Sequence, residues 1–152
     1  MEKKMNNKGF SLVELIIVVA IMAVLIGVLA PTYLKYVESS KKTTDCSAIG
    51  SILDACEVVA IDPSITDWSS DVTLTLASGT VTVAGGGTNT LAEIKNIIGS
   101  ETVTLQGKWT NSSWVITVTK ASTGKVTFTI NSGAAKTELG TISKSLGARL
   151  TE

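Results

Sequence analysis

Residues 10–30 read FSLVELIIVVAIMAVLIGVLA, an apolar run whose polar members are Ser11 and Glu14 and whose one glycine is Gly27. As a helix the run rises about 32 Å at about 1.5 Å per residue. That matches the hydrocarbon core of a bilayer, about 30 Å thick. The apolar core of a secretory signal peptide is shorter, roughly 7–15 residues, and leads into a small-residue cleavage site. Ala30 leads instead into Pro31 and a sequence that still suits a helix. The apolar run is therefore expected to stay in the mature chain as a membrane helix. Glu14 needs an explanation there, because a carboxylate at bilayer depth costs roughly 2.5–3.5 kcal/mol on insertion scales. Either it sits at the headgroup edge, or it has a partner.

Immediately upstream lies a short basic segment with Lys3, Lys4 and Lys8 against Glu2. The stretch Lys8-Gly9-Phe10-Ser11-Leu12-Val13-Glu14-Leu15 resembles the signature of type IV prepilins. In that family a dedicated peptidase cuts after the glycine and N-methylates the new first residue. The resemblance places the cleavage between Gly9 and Phe10, the methylation on Phe10, and Glu14 at the fifth mature position. Pro31 falls at a proline position common in the family. The resemblance covers about the first forty residues. It implies an N-in orientation, which the charge rule leaves tied, because Lys35, Lys41 and Lys42 follow the run closely. It also implies that Glu14 of one subunit pairs with the Phe10 amine of a neighbour and sets register during assembly. Coulomb attraction in such a poorly hydrated pair exceeds that in water and offsets the burial of each charge.

Beyond Pro31 the helical pattern continues. Leu34, Val37, Ile49, Ile52, Leu53, Cys56, Val59 and Ala60 form an apolar stripe near the 3.6 period, with a gap from Lys41 to Asp45. Asp62-Pro63 is a stop, since proline disfavours helix at the residue before it. One helix over residues 10–61 would span about 78 Å. Pro31 cannot donate to the Gly27 carbonyl, and glycine is a poor helix former, so the pair marks a weak point. It reads equally as a passive kink or, following the family, as a stretch that extends when subunits pack. Cys46 and Cys56 lie about 15 Å apart along such a helix. A disulfide needs Cα atoms within roughly 7 Å, so they read as small residues against a sheet.

After Ile61 the period changes to alternation. Val72, Leu74 and Leu76, then Val81 and Val83, alternate with threonine and other residues around a loop at Ala84–Thr88. Leu91, Ile94, Ile97 and Ile98 predict a short helix closed by Gly99. Strands are expected at 102–105, 113–119 and 125–130, the last two joined through Ser122-Thr123-Gly124. Leu139, Ile142, Leu146 and Leu150 suggest a C-terminal helix despite Gly140 and Gly147. The expected fold class is α+β, a type IV pilin fold with the long N-terminal helix packed on an antiparallel sheet. Its parts are a leader at 1–9, a transmembrane and polymerisation segment at 10–30, an amphipathic continuation at 31–61, and a β-rich head at 62–152.

Composition narrows the function. The 152 residues contain no histidine and carry formal net charge zero, which points away from Ser-His catalysis and from nucleic acid. Removing residues 1–9 takes away three of the 13 basic and one of the 13 acidic residues, leaving ten and twelve. Asp62, Asp67 and Asp71 share a loop-like stretch, as do calcium ligands in related pseudopilins, but their spacing matches no EF-hand and solvated acids are the default. Gly85–Gly87 lacks the lysine of a P-loop, and Asn111-Ser112-Ser113 fits a glycosylation sequon. Trp68, Trp109 and Trp114 could form a sugar-binding face, with core or half-buried sheet positions the stronger reading.

No catalytic residue, metal or cofactor is expected. The resemblance implies a structural subunit, a major pilin, that waits as a single-pass membrane protein. It then polymerises into an extracellular filament for adhesion, twitching motility or biofilm formation. Its partners would be other pilin subunits, the prepilin peptidase and methyltransferase, the assembly machinery and, before assembly, the membrane. A minor pilin or secretion or competence pseudopilin shares this chemistry. A membrane-anchored binding protein that never polymerises is the rival from another class.

Overall fold

A computed structural model describes residues 9–152. The chain divides into two compact units, one ending at Val37 and one from Glu38 to Glu152.

The first unit is the N-terminal part of α1, a helix running from Leu12 to Ile61 without interruption at Pro31. No described residue of this unit is buried. Its described apolar residues are exposed or only partly covered within this unit.

The second unit is an α+β head built on the remainder of α1. Its strands are β1 (Val72–Ala77), β2 (Thr80–Gly85), β3 (Thr102–Thr104), β4 (Ser113–Lys120), β5 (Val126–Ile130) and β6 (Leu150–Thr151). Its helices are α2 (Thr88–Ile98), α3 (Gly133–Ile142) and α4 (Lys144–Arg149). One six-stranded sheet has the order β3-β2-β1-β4-β5-β6. All pairs are antiparallel except β5 with β6. In the centre, Val72 pairs with Val118, Leu74 with Ile116 and Leu76 with Trp114. These side chains fall on one face by the two-residue period of the strand. They meet Ile49, Ile52, Leu53, Cys56 and Val59 of α1 in a single core, with Ile94, Leu139 and Leu146 closing its margins. The outer face carries threonines, among them Thr73, Thr75, Thr82, Thr117 and Thr129. Their β-branching favours strands without adding exposed large apolar surface.

The turns follow backbone chemistry. Ser78 and Gly79 both adopt positive φ, 51° and 79°, and close the two-residue hairpin between β1 and β2. Gly124, at φ 82°, turns β4 into β5. Gly99, also left-handed, ends α2 with its N–H on the Lys95 carbonyl.

The expected α+β architecture is present, with β6 adding a short parallel edge to the antiparallel sheet through Leu150 and Thr151. One expectation needs correction. The expected C-terminal helix is two helices, with Leu150 outside both in β6. Ser143 separates them in extended conformation: its N–H donates to the Leu139 carbonyl, and its hydroxyl accepts from Leu146 N. Gly140 and Gly147 lie at the closest approach of α3 and α4. A Cβ on Gly147 would stand 2.5 Å from Gly140 Cα. The two glycines that weaken one long helix allow two short ones to pack.

Candidate functional site

At the start of α1, Gly9, Phe10 and Ser11 precede the first helical turn, and Phe10 is 86% exposed. Ser11 N–H donates to Glu14 Oε2 at 2.9 Å. Ser11 thus stands at the N-cap and Glu14 three residues on, with the carboxylate reaching back to satisfy an amide the helix leaves unpaired. The positive end of the helix dipole favours the same charge. Sequence reasoning singled out Glu14 but missed this local role, although Ser11-x-x-Glu14 is a capping-box spacing. Gly27 and Pro31 lie within α1, and a Cβ on Gly27 would meet nothing within 4 Å. Lys8 and the rest of the expected leader before Gly9 lie outside the described residues. Among the described residues one helix is long and apolar enough to cross a membrane, and its apolar window is wholly unburied.

In the head, polar chemistry concentrates where the loop from Leu105 to Ser112 meets α1 and α3. Asp45 is buried, in the gap that interrupts the apolar stripe. Its carboxylate accepts from Gln106 N at 2.9 Å, Gly107 N at 2.8 Å and Trp109 Nε1 at 2.9 Å. Gly107 lets the loop come this close: a Cβ there would stand 2.7 Å from Lys42 Cγ and 2.9 Å from Asp45 Oδ2. Lys108 N donates to Glu38. Glu138, on α3, accepts from Lys42 Nζ at 2.9 Å and Thr110 N at 3.1 Å through Oε1. Its Oε2 accepts from Asn111 N and Asn111 Nδ2, both at 3.2 Å. Burial raises the Glu138 pKa, but the Thr110, Lys42 and Asn111 hydrogen bonds and the Lys42 charge outweigh it and hold the carboxyl at about 2. Lys42 Nζ also lies 5.4 Å from the Trp109 ring centre. No sequence pattern signalled this cluster. Asp45 read as a break in the helix stripe, and its partners come from more than sixty residues away.

The remaining candidates separate. Asp67 accepts from Asn89 N, Thr90 N and Thr90 Oγ1, and so caps α2, whose own N-cap is Gly87. The Asn89 amide and the Thr90 groups lower its pKa. Asp62 accepts from Ser64 N and Oγ. Among the described residues, no three His, Cys, Asp or Glu side chains come together as a metal site. The tryptophans share no face that could bind a sugar. Trp114 is buried in the core, Trp109 is tied to Asp45, and Trp68 lies under Lys120. Asn111 has its side-chain amide on Glu138. Cys46 and Cys56 are buried and free. Burial, helped by Asp45 and Glu138 for Cys46 and by Glu57 for Cys56, pushes their pKa values to about 11 and about 12, so both are thiols at neutral pH.

The described part of this N-terminus, a glycine, a capped helix start and one carboxylate in the apolar first part of α1, is accompanied by a direct match. Residues 4–30 match the family model described as the prokaryotic N-terminal methylation motif. The chain carries a prokaryotic N-terminal methylation motif. The motif occupies a limited part of the chain, and a curated relative extends the similarity. Over 85 residues the chain is 32% identical to "Prepilin peptidase-dependent protein A" of Clostridium perfringens (strain 13 / Type A). That alignment covers 55% of this chain and 61% of the relative. No solved structure matches the chain. With a methylation motif at one end and a helix packed on a mostly antiparallel sheet at the other, the architecture agrees with a pilin fold.

Proposed function

We propose that this protein is a structural subunit, a major pilin, of a type IV pilus. The observation that carries the reading is the methylation motif at residues 4–30, set on a helix whose membrane-length apolar surface has no cover within its own unit. Prepilin peptidase cuts between Gly9 and Phe10, removing residues 1–9, and Phe10 is then N-methylated. Residues 10–30 hold the subunit in the membrane before assembly and bundle with those of other copies afterwards. Residues 31–61 continue the helix and carry the head at 62–152 into a surface filament that serves adhesion, twitching or biofilm formation.

Glu14 has two successive partners in this scheme. Before assembly it accepts from its own Ser11 N–H. During assembly it meets the methylated Phe10 amine of a neighbour, exchanging a bond to a neutral amide for an ion pair in which each charge offsets the burial of the other. The new amine gains further, because it sits at the unfavourable positive end of its own helix dipole. Gly27 and Pro31 supply the point at which α1 extends as subunits pack, the missing donor of Pro31 lowering the local cost.

The test is to shear the cell surface and take the intact mass of the main small protein released. A dominant species beginning at methylated Phe10 is expected. A processed chain confined to membranes would replace the major pilin with a minor pilin or pseudopilin, and an uncut chain would sink the reading altogether. Glu14→Val should leave cleavage and membrane insertion intact and abolish normal filaments.

A further inference from the structure

Lys42, Asn111 and Glu138 come from three separate elements: α1, the loop before β4, and α3. Their functional groups converge on one carboxylate. Glu138 Oε1 takes the Lys42 ammonium at 2.9 Å, and Oε2 takes the Asn111 side-chain amide at 3.2 Å. The two carboxylate oxygens therefore hold an amine and a primary amide side by side. The site is sheltered, with the Lys42 and Glu138 side chains only 18% and 15% exposed and the Trp109 ring beside Nζ. It is also rigid. Thr110 N and Asn111 N fix the carboxylate from the loop side, and Asp45 pins the neighbouring Gln106, Gly107 and Trp109.

A purely structural ion pair would require Lys42 and Glu138 alone. Here one carboxylate also takes the Asn111 amide nitrogen on its second oxygen, and a single base touching both the attacking and the leaving nitrogen is the arrangement that amide exchange needs. We infer that Lys42 and Asn111 form an intramolecular isopeptide bond, with Glu138 as the catalytic proton carrier. The resting pair is a protonated Lys42 and an ionised Glu138. Oε1 takes a proton from Nζ, and the neutral amine attacks Asn111 Cγ. The new bond is Nζ–Cγ and the broken one is Cγ–Nδ2. The proton returns through Oε2 to Nδ2, which leaves as ammonia, and the second proton shed by Nζ converts it to ammonium. Glu138 ends as it began, and nothing is oxidised or reduced. Positioning supplies the acceleration, because both reactants are held on one base and the step is unimolecular. A single turnover per molecule suffices, so the low basicity of Glu138 sets only how long maturation takes. The product ties α1 covalently to the loop before β4, in a chain whose cysteines are both free. The inference does not depend on whether the protein forms filaments.

Intact mass spectrometry of the full chain, purified from membranes or sheared filaments, tests it directly. The expected mass is lighter by one ammonia than the sequence of the processed species. Tryptic digestion should then yield a branched peptide joining the Lys42 and Asn111 segments. Loss of ammonia could also come from ring closure of Asn111 onto the Ser112 backbone, so two variants discriminate. Lys42→Arg keeps the positive charge beside Glu138 but has no amine for the exchange, and should run at full mass. Glu138→Gln keeps the side-chain shape without the base, and should do the same. A wild-type chain at full sequence mass overturns the inference. So does a loss of ammonia that persists in Lys42→Arg.

Discussion

The two parts of α1 have opposite surroundings within one continuous helix. From Leu12 to Val37 no residue is buried, although nearly all are apolar. From Glu38 to Ile61 the sequence is far more polar, yet nine residues are buried, Asp45 among them. Apolar composition alone therefore does not locate the core of this protein. The core lies where apolar and polar positions alternate at the helical period, because such a stripe can face a sheet while the opposite side stays wet. A segment that is apolar all round has no wet side and needs a different solvent, a bilayer or other copies of itself.

Substitutions in the two parts should accordingly behave differently, and the full chain in detergent micelles is the system in which to compare them. The largest effect is expected from Leu53→Ala. Leu53 is fully buried in the head core, and truncation there costs about 2–5 kcal/mol, seen as a lower denaturant midpoint. Ile21→Ala, an equal-sized deletion in the exposed part, should leave that midpoint unchanged. A comparable loss at Ile21 would break the comparison.

Asp45→Ala comes next. It strands three donors, two of them backbone amides, on a loop that water reaches, so the net cost should be about 1–3 kcal/mol. Hydrogen exchange should show faster exchange at Gln106 and Gly107 in particular. Gly107→Ala, which drives a methyl against Lys42 and the Asp45 carboxylate, should cost about 1–3 kcal/mol. Unfolding should stay cooperative in both.

Acid gives a smaller and graded effect. The Glu138 pKa is lowered on folding from 4.5 to about 2. Its contribution is therefore complete above pH 4.5 and is lost as the pH falls from there toward 2. In the Lys42→Arg background, which keeps a cation beside Glu138 and cannot crosslink, adding Glu138→Gln should make stability depend less steeply on pH in that window. Arg149→Ala should do least. Arg149 pairs with Asp54 at 2.7 Å and Glu57 at 2.9 Å, but both acids are largely exposed, and such pairs are worth about 0–1 kcal/mol.

Much of the head was legible from its periodicity. Val72, Leu74 and Leu76 alternate as a half-buried strand must, and the residues opposite them in β4 do the same. Gly99 and Gly124 lie where left-handed backbone is required. The C-terminal region was misread because Leu139, Ile142, Leu146 and Leu150 fit one helical stripe. Its two helices exist because Ser143 caps both and Gly140 and Gly147 permit their crossing. Residue spacing along one helix contains neither fact. β6 was equally hidden, since two residues joining an existing sheet edge leave no pattern of their own.

By itself the sequence determined the membrane-length apolar helix, the methylation motif and the alternation of the strands. Each is a local property, set by the order of side chains along a few turns or one strand. Tertiary structure alone decided that Asp45 is an anchor, that Asp67 caps a distant helix, and that Lys42, Asn111 and Glu138 meet. Those roles depend on which donors remain unpaired once separate elements pack, and a buried donor or acceptor takes the partner that packing brings, however far away it lies in the chain.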